Sequence, residues 1–266
     1  MNHNATLKQN TWIFFALVFA LSVPLWIVGA IIGQLLPLGL PFGALMAFNP
    51  LFAAALLVYQ RKGRTGVNEL LRKSVDPRCI PARWLAIATL LMPIILFFEF
   101  GILRITGAAI PDPSFSASST LLLCALFSVA AIGEEVGWQG YAAILLQKQY
   151  TALTSSLILG VVWAIWHVVP FLQASRSPSW IGWQCLTMLP ARIIIVWLCN
   201  NTGRSVFIAV IFHMMMNLSE YLFPDYGSHY DPFLTFVILA LTVAIILVFW
   251  GPRTLTCPDM GRAVTP

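Results

Sequence analysis

Four stretches of this sequence set ionisable or strongly polar side chains inside long apolar runs. Ala131 to Tyr141 reads A-I-G-E-E-V-G-W-Q-G-Y and holds Glu134, Glu135 and Gln139. Trp163 to His167 reads W-A-I-W-H, Arg192 follows in the next run, and His213 to Asn217 reads H-M-M-M-N. A charged side chain at the centre of a bilayer costs about 2.5–3.5 kcal/mol on insertion scales, so each needs a compensating role. Two of the four histidines fall inside such runs, which random placement would not favour.

Helical geometry narrows what these residues can do. Successive residues turn by about 100°, so Glu134 and Glu135 cannot point the same way. One can face a cavity while the other makes a structural bond. Glu135 and Gln139 are four apart and are expected on one face, as are Trp163 and His167, and His213 and Asn217. One helix then offers a carboxylate, a second an imidazole, and a third an imidazole with an amide. Hydrolysis of an amide needs a base to activate water and donors for the developing oxyanion. That set is complete without a nucleophilic serine or cysteine. Taken singly, the residues have plainer readings: a carboxylate pair joining helices, packing histidines, and an interhelical hydrogen bond from Asn217. Trp138, Trp163 and Trp166 read as packing or cavity walls, and Met214–Met216 as adaptable lining for a substrate helix or lipid. Glu220 is expected to reach interfacial water, and Glu99 has no motif around it.

The elements that position these groups follow from composition. Of 266 residues, 59% are hydrophobic and only 9% charged, with a mean hydropathy of +0.84. A soluble domain carries about 25% charged residues, so most of this surface must face lipid. Apolar runs at 11–36, 42–60, 84–106, 118–148, 152–172, 179–200, 204–224 and 232–250 each suit a helix crossing a hydrocarbon core of roughly 30 Å. The expected fold is an all-α, polytopic transmembrane bundle of about eight helices, one domain over 1–266. A short polar tail at 252–266 is expected to be poorly ordered. The first run reads as a retained anchor, being long for a signal segment.

Lysine and arginine set the expected orientation. Arg61, Lys62, Arg64, Arg72, Lys73, Arg78 and Arg83 crowd the connection after the second run, marking it cytoplasmic. Alternation places Lys8, Lys148, Arg204, Arg253 and Arg262 on that side, and Arg176, Asp112, Asp225 and Asp231 opposite. Both termini are therefore expected in the cytoplasm. Val67–Val75 reads either as a short interfacial helix or as a solvated linker. Membrane orientation accounts for the net charge of +5, and no nucleic-acid partner is expected. Five cysteines without CxxC or Cys/His spacing argue against a disulfide framework or a structural zinc site.

The motifs resemble the CAAX protease and bacteriocin-processing (CPBP, or Abi) family of intramembrane proteases, which includes type II CAAX prenyl endopeptidases. The family pattern is EExxxR, then aromatic-xxx-His, then HxxxN, each on its own helix. Here it reads Glu134-Glu135-Val-Gly-Trp-Gln139, Trp163-Ala-Ile-Trp-His167 and His213-Met-Met-Met-Asn217. Trp197-Leu-Cys-Asn200-Asn201-Thr202-Gly203 also looks like bacterial members, and the resemblance covers about 118–222, the expected catalytic core. It implies that Glu134 activates water with help from His167, that His213 and Asn217 stabilise the oxyanion, and that Glu135 supports them. The family has been described both as metalloproteases and as glutamate-dependent proteases. No cofactor is favoured, but Glu134, His167 and His213 could hold zinc with a water as fourth ligand.

One position departs from the pattern. Gln139 stands where the motif has arginine, offering two donors and no charge in place of five donors and a fixed charge. Arg192, at similar depth on the sixth run, could substitute by pairing with a glutamate. The expected function is an intramembrane endopeptidase acting on a membrane-embedded or lipid-anchored substrate in a cell membrane, such as a bacterial inner membrane. A catalytically silent scaffold or regulator of the same fold is the alternative that Gln139 favours. A proton-coupled transporter would call for an inverted repeat, and none is visible. The chain's own end, Ala263-Val-Thr-Pro266, is not a CAAX signal.

Overall fold

A computed structural model describes residues 3–33, 35–36, 40–78, 80–226 and 228–256. The chain forms α1 (His3–Ile32), a 3-10 turn (Phe42–Phe48), α2 (Asn49–Val75), α3 (Ala82–Ile105) and α4 (Ala117–Gly137). A π-helical turn (Trp138–Ala143) and the one-turn α5 (Ile144–Leu146) extend α4. Then follow α6 (Ala152–Gln173), α7 (Pro178–Asn200), α8 (Val206–Leu222) and α9 (Pro232–Trp250). Among the described residues the one departure from an all-helical chain is a two-residue antiparallel pairing of β1 (Leu35–Leu36) with β2 (Leu40–Pro41).

Several helices start where local chemistry allows. The side chains of Ser116, Thr151, Ser177 and Asp231 accept from the first-turn amides of α4, α6, α7 and α9. Each cap satisfies a backbone donor that the helix itself cannot. Pro178 and Pro232 fill first-turn positions, where a missing N–H costs nothing.

Seven helical segments among the described residues are long and apolar enough to cross a membrane, and α8 is a shorter apolar helix of 17 residues. The chain is a multi-pass membrane protein. The expected spans coincide with helices, and the seventh is the short one. Its neighbours explain how it is accommodated: α8 packs on α3, α4 and α7, inside the protein. α7 is the most enclosed, with 72% of its apolar stretch buried against 22% for α1 and α9.

Of the two readings of Val67–Val75 the structure takes the helix, set off from the rest of α2 by a break at Gly63, whose φ of 61° lies in the left-handed region that glycine adopts freely. Two expectations change. The tail does not hang loose over 252–256. Ala152 and Leu153 amides donate to the carbonyls of Arg253 and Pro252, Asn200 and Asn201 donate to those of Thr254 and Leu255, and Leu255 is fully buried. Residues 257–266 lie outside the described residues. Finally, Met214 and Met216 are buried in the protein core and do not line the cavity. Cys124, Cys185 and Cys199 carry free thiols; Cys79 and Cys257 are outside the described residues.

Candidate active site

Close helix contact comes first. A Cβ on Gly133 would stand 2.7 Å from the Ala47 carbonyl oxygen, and one on Gly137 only 2.3 Å from that of Pro50. Small residues let membrane helices approach backbone to backbone, and these two glycines flank the Glu134–Glu135 pair. They press it into the interior between the start of α2, α6 and α8. Glu134 and Glu135 are 5% and 0% exposed.

The two carboxylates then diverge, as the helical twist requires. Glu135 faces α7 and α8. Arg192 Nη1 donates to both of its oxygens, at 3.0 and 2.8 Å, and His213 Nδ1 lies 2.8 Å from Oε1. A carboxylate already paired with a guanidinium acts as acceptor, so His213 presents Nδ1–H to Glu135. Arg192 is fully buried, and its Nε and Nη2 have no oxygen partner. Its guanidinium carbon sits 4.2 Å from the centroid of the Trp163 ring, whose negative face attracts a cation.

Glu134 faces α6 and the cavity. Its Oε2 accepts from the Trp163 indole N–H at 2.7 Å. Its Oε1 lies 3.9 Å from His167 Nε2 and 4.0 Å from His213 Nε2. His167 Nδ1 is 2.9 Å from the Trp163 carbonyl, which can only accept, so Nδ1 carries the proton and the neutral ring leaves its Nε2 lone pair toward Glu134. Trp163 thus holds both the carboxylate and the histidine tautomer. Trp163 is therefore more than the packing or cavity wall expected of it: its indole donor gives it a positioning part, which no motif spacing could reveal.

Glu134, His167 and Asn217 line a cavity of about 360 Å³ with otherwise mainly apolar walls from the 3-10 turn, α4 and α6. Glu134, Glu135, His167, Arg192 and His213 therefore meet in one network, with Asn217 beside it. Gln139 does not join. Glu135 bonds Arg192 and His213, while Gln139 Oε1 is buried without a partner and its side chain lies against the Cys199 thiol. The expected Glu135–Gln139 face is disrupted because the π-helical turn opens at Trp138 and shifts the register that a regular α-helix would keep. Glu220, expected at interfacial water, is instead buried, 3.5 Å from Gln184 Nε2, and lines the cavity. Glu99 is fully buried and accepts from the Asp231 amide and the Thr235 hydroxyl, both at 2.6 Å; it anchors the start of α9.

A carboxylate thus stands between two imidazoles, each group on its own helix. Residues 116–219 match the family model for type II CAAX prenyl endopeptidase Rce1-like proteins. This central segment is similar to that family. A curated relative, CAAX prenyl protease 2 of Methanococcus maripaludis, is 28% identical over 236 residues, covering 81% of this chain and 85% of its own. Lysostaphin resistance protein A of Staphylococcus haemolyticus is 24% identical over 213 residues, or 75% of this chain. The match spans about half, 54%, of that second relative's length. The family match over the central segment and the Methanococcus relative over most of the chain both carry the name of CAAX proteases, to which this chain is similar.

Zinc would need these donors closer together. With bonds of about 2.0–2.1 Å, tetrahedral ligands stand roughly 3.3 Å apart. The Glu134–imidazole separations of 3.9 and 4.0 Å are wider, and no group of three metal-ligating side chains among the described residues is spaced to hold an ion. The residues as arranged do not fit the metal.

Proposed function

We propose that this chain is an endopeptidase that hydrolyses a peptide bond of a membrane-anchored substrate, in a bacterial cell membrane, by direct attack of water. The observation that carries this is Glu134 Oε1, set about 4 Å from two imidazole Nε2 atoms at the floor of a cavity that Asn217 also lines. A gap of that width admits one water bonded to both the carboxylate and His167. Glu134 takes a proton as the water oxygen bonds to the carbonyl carbon. That proton then passes to the leaving nitrogen as the C–N bond breaks.

The developing oxyanion needs donors that are already oriented. His213 and Asn217 stand one turn apart on α8, on one face. Glu135 fixes His213 through Nδ1, so an imidazolium would aim Nε2–H into the site. Arg192 takes the part that the motif gives to arginine, from a different helix.

A metal-free mechanism is proposed on the ligand spacing described above. The test is cleavage of a quenched-fluorescent peptide library by the purified full chain in detergent. Glu134→Ala should lower turnover by about 10²–10⁴-fold, the range of a general base, and a chelator should leave the rate unchanged. Loss of activity on chelation, restored by zinc, would overturn the metal-free part. The absence of the motif arginine at Gln139 favours a second reading, a silent scaffold of the same fold. Indistinguishable rates for the wild-type chain and Glu134→Ala would select it.

A further inference from the structure

The loops of this bundle sort into two ends, and hydrogen bonds identify which belong together. At one end Arg61 bonds Asn10, Asn200 bonds Gln147 and Thr254, and the start of α6 bonds residues 252 and 253. At the other, Ser114 bonds Pro224, Ser116 bonds Tyr226, and Gln173 bonds Gly43 and Trp26. The first end carries the basic residues from Arg61 to Arg83 with Lys148, Arg204 and Arg253. The second carries Arg104 and Arg176 against Asp112, Asp225 and Asp231. Lysine and arginine in short loops mark the cytoplasmic side, so the second end faces away from the cytoplasm.

The cavity belongs wholly to that second end. Beyond the active groups it is lined by Ala44–Phe48, Ala174, Arg176, Trp180, Ser228 and Tyr230. Toward the basic end the site is sealed: Trp138, Leu198, Cys199, Ile208 and Ala209 are all fully buried. His167 lies six residues before the end of α6 and Asn217 five before the end of α8. At a rise of 1.5 Å per residue, the reacting bond sits about 9 Å below that surface. Three cavity-lining side chains, Leu45, Leu126 and Val129, are 38%, 38% and 51% exposed. On an apolar bundle such exposure faces lipid, so the cavity also opens sideways between the 3-10 turn and α4.

We infer that the active-site cavity opens to the extracytoplasmic leaflet, and that its substrate is a membrane-anchored polypeptide entering from that leaflet. The access face follows from charge and cavity position alone; the substrate class rests on the proteolytic reading above. A lipidated tail held in the cytoplasmic leaflet would meet the sealed end of the bundle.

Single cysteines placed in the full chain test the face. In intact spheroplasts a membrane-impermeant maleimide should label Ser114→Cys and Ser228→Cys above the background of the native cysteines. Thr65→Cys, in the basic connection, should label only after permeabilisation. The reverse pattern overturns the inference. In parallel, an impermeant quenched peptide should be cleaved by right-side-out membrane vesicles and spared by sealed inverted ones, with Glu134→Ala inactive in both. Cleavage confined to inverted vesicles again overturns it. Outward labelling without cleavage in vesicles or detergent removes the protease and the substrate class, and leaves the access face standing.

Discussion

Trp163 shows how much one side chain can carry in a water-poor site. Its indole N–H holds Glu134 at 2.7 Å, its carbonyl fixes His167, and its ring lies 4.2 Å from the Arg192 guanidinium carbon. Trp163→Phe keeps the ring and removes the donor. A hydrogen bond to a charged group contributes about 1.5–3 kcal/mol, so turnover should fall by roughly 10- to 150-fold. KM should change little, and turnover should fall further than the loss of folded protein at the assay temperature explains; a fall in turnover wholly accounted for by a lower melting temperature would mark Trp163 as merely structural. Arg192→Leu makes the opposite kind of change. It leaves Glu135 buried beside His213 without its cation, a loss of about 3–5 kcal/mol. Thermal unfolding in detergent should show a marked drop, with peptide cleavage abolished. Arg192→Lys should recover part of both, since it restores the charge without the planar guanidinium. A fully active, stable Arg192→Leu would refute the pairing argument.

At the scale of elements, the site exists because α4 lies against the start of α2 with almost no side chain between them. Gly137 meets Pro50 and Gly133 meets Ala47 at distances that no Cβ could occupy. Gly137→Ala should force these segments apart and lower stability by about 1–3 kcal/mol, the usual cost of overpacking. Because Glu135 is two residues away, activity should drop more than stability alone would explain. Comparing residual turnover with the folded fraction at the same temperature checks this. The π-helical turn from Trp138 to Ala143 is a second element-level device. It turns Gln139 away from Glu135, so a guanidinium from α7 can take the place beside that carboxylate.

On the scale of the whole molecule, the bundle is divided by charge and by closure. One end carries most of the lysines and arginines and is packed shut; the other bears the cavity and an opening toward lipid. The C-terminal strand of contacts at 252–256 closes the basic end, through Asn200 and Asn201 bonding backbone carbonyls. The short α8 is stabilised because α3, α4 and α7 surround it. It can therefore carry His213, Asn217 and Glu220 without presenting them to lipid.

The sequence by itself determined the membrane class, the helical runs and the three polar motifs. Apolar run length and the cost of intramembrane charge are local quantities, legible residue by residue. It also offered Arg192 as a stand-in for the motif arginine that Gln139 replaces. Tertiary structure alone decided that Trp163 donates to Glu134, that Glu220 is enclosed and that Gln139 stands apart. Each depends on helix rotation, on a register shift of one residue, or on contacts between helices far apart in the chain. Spacing along a single helix holds no record of those.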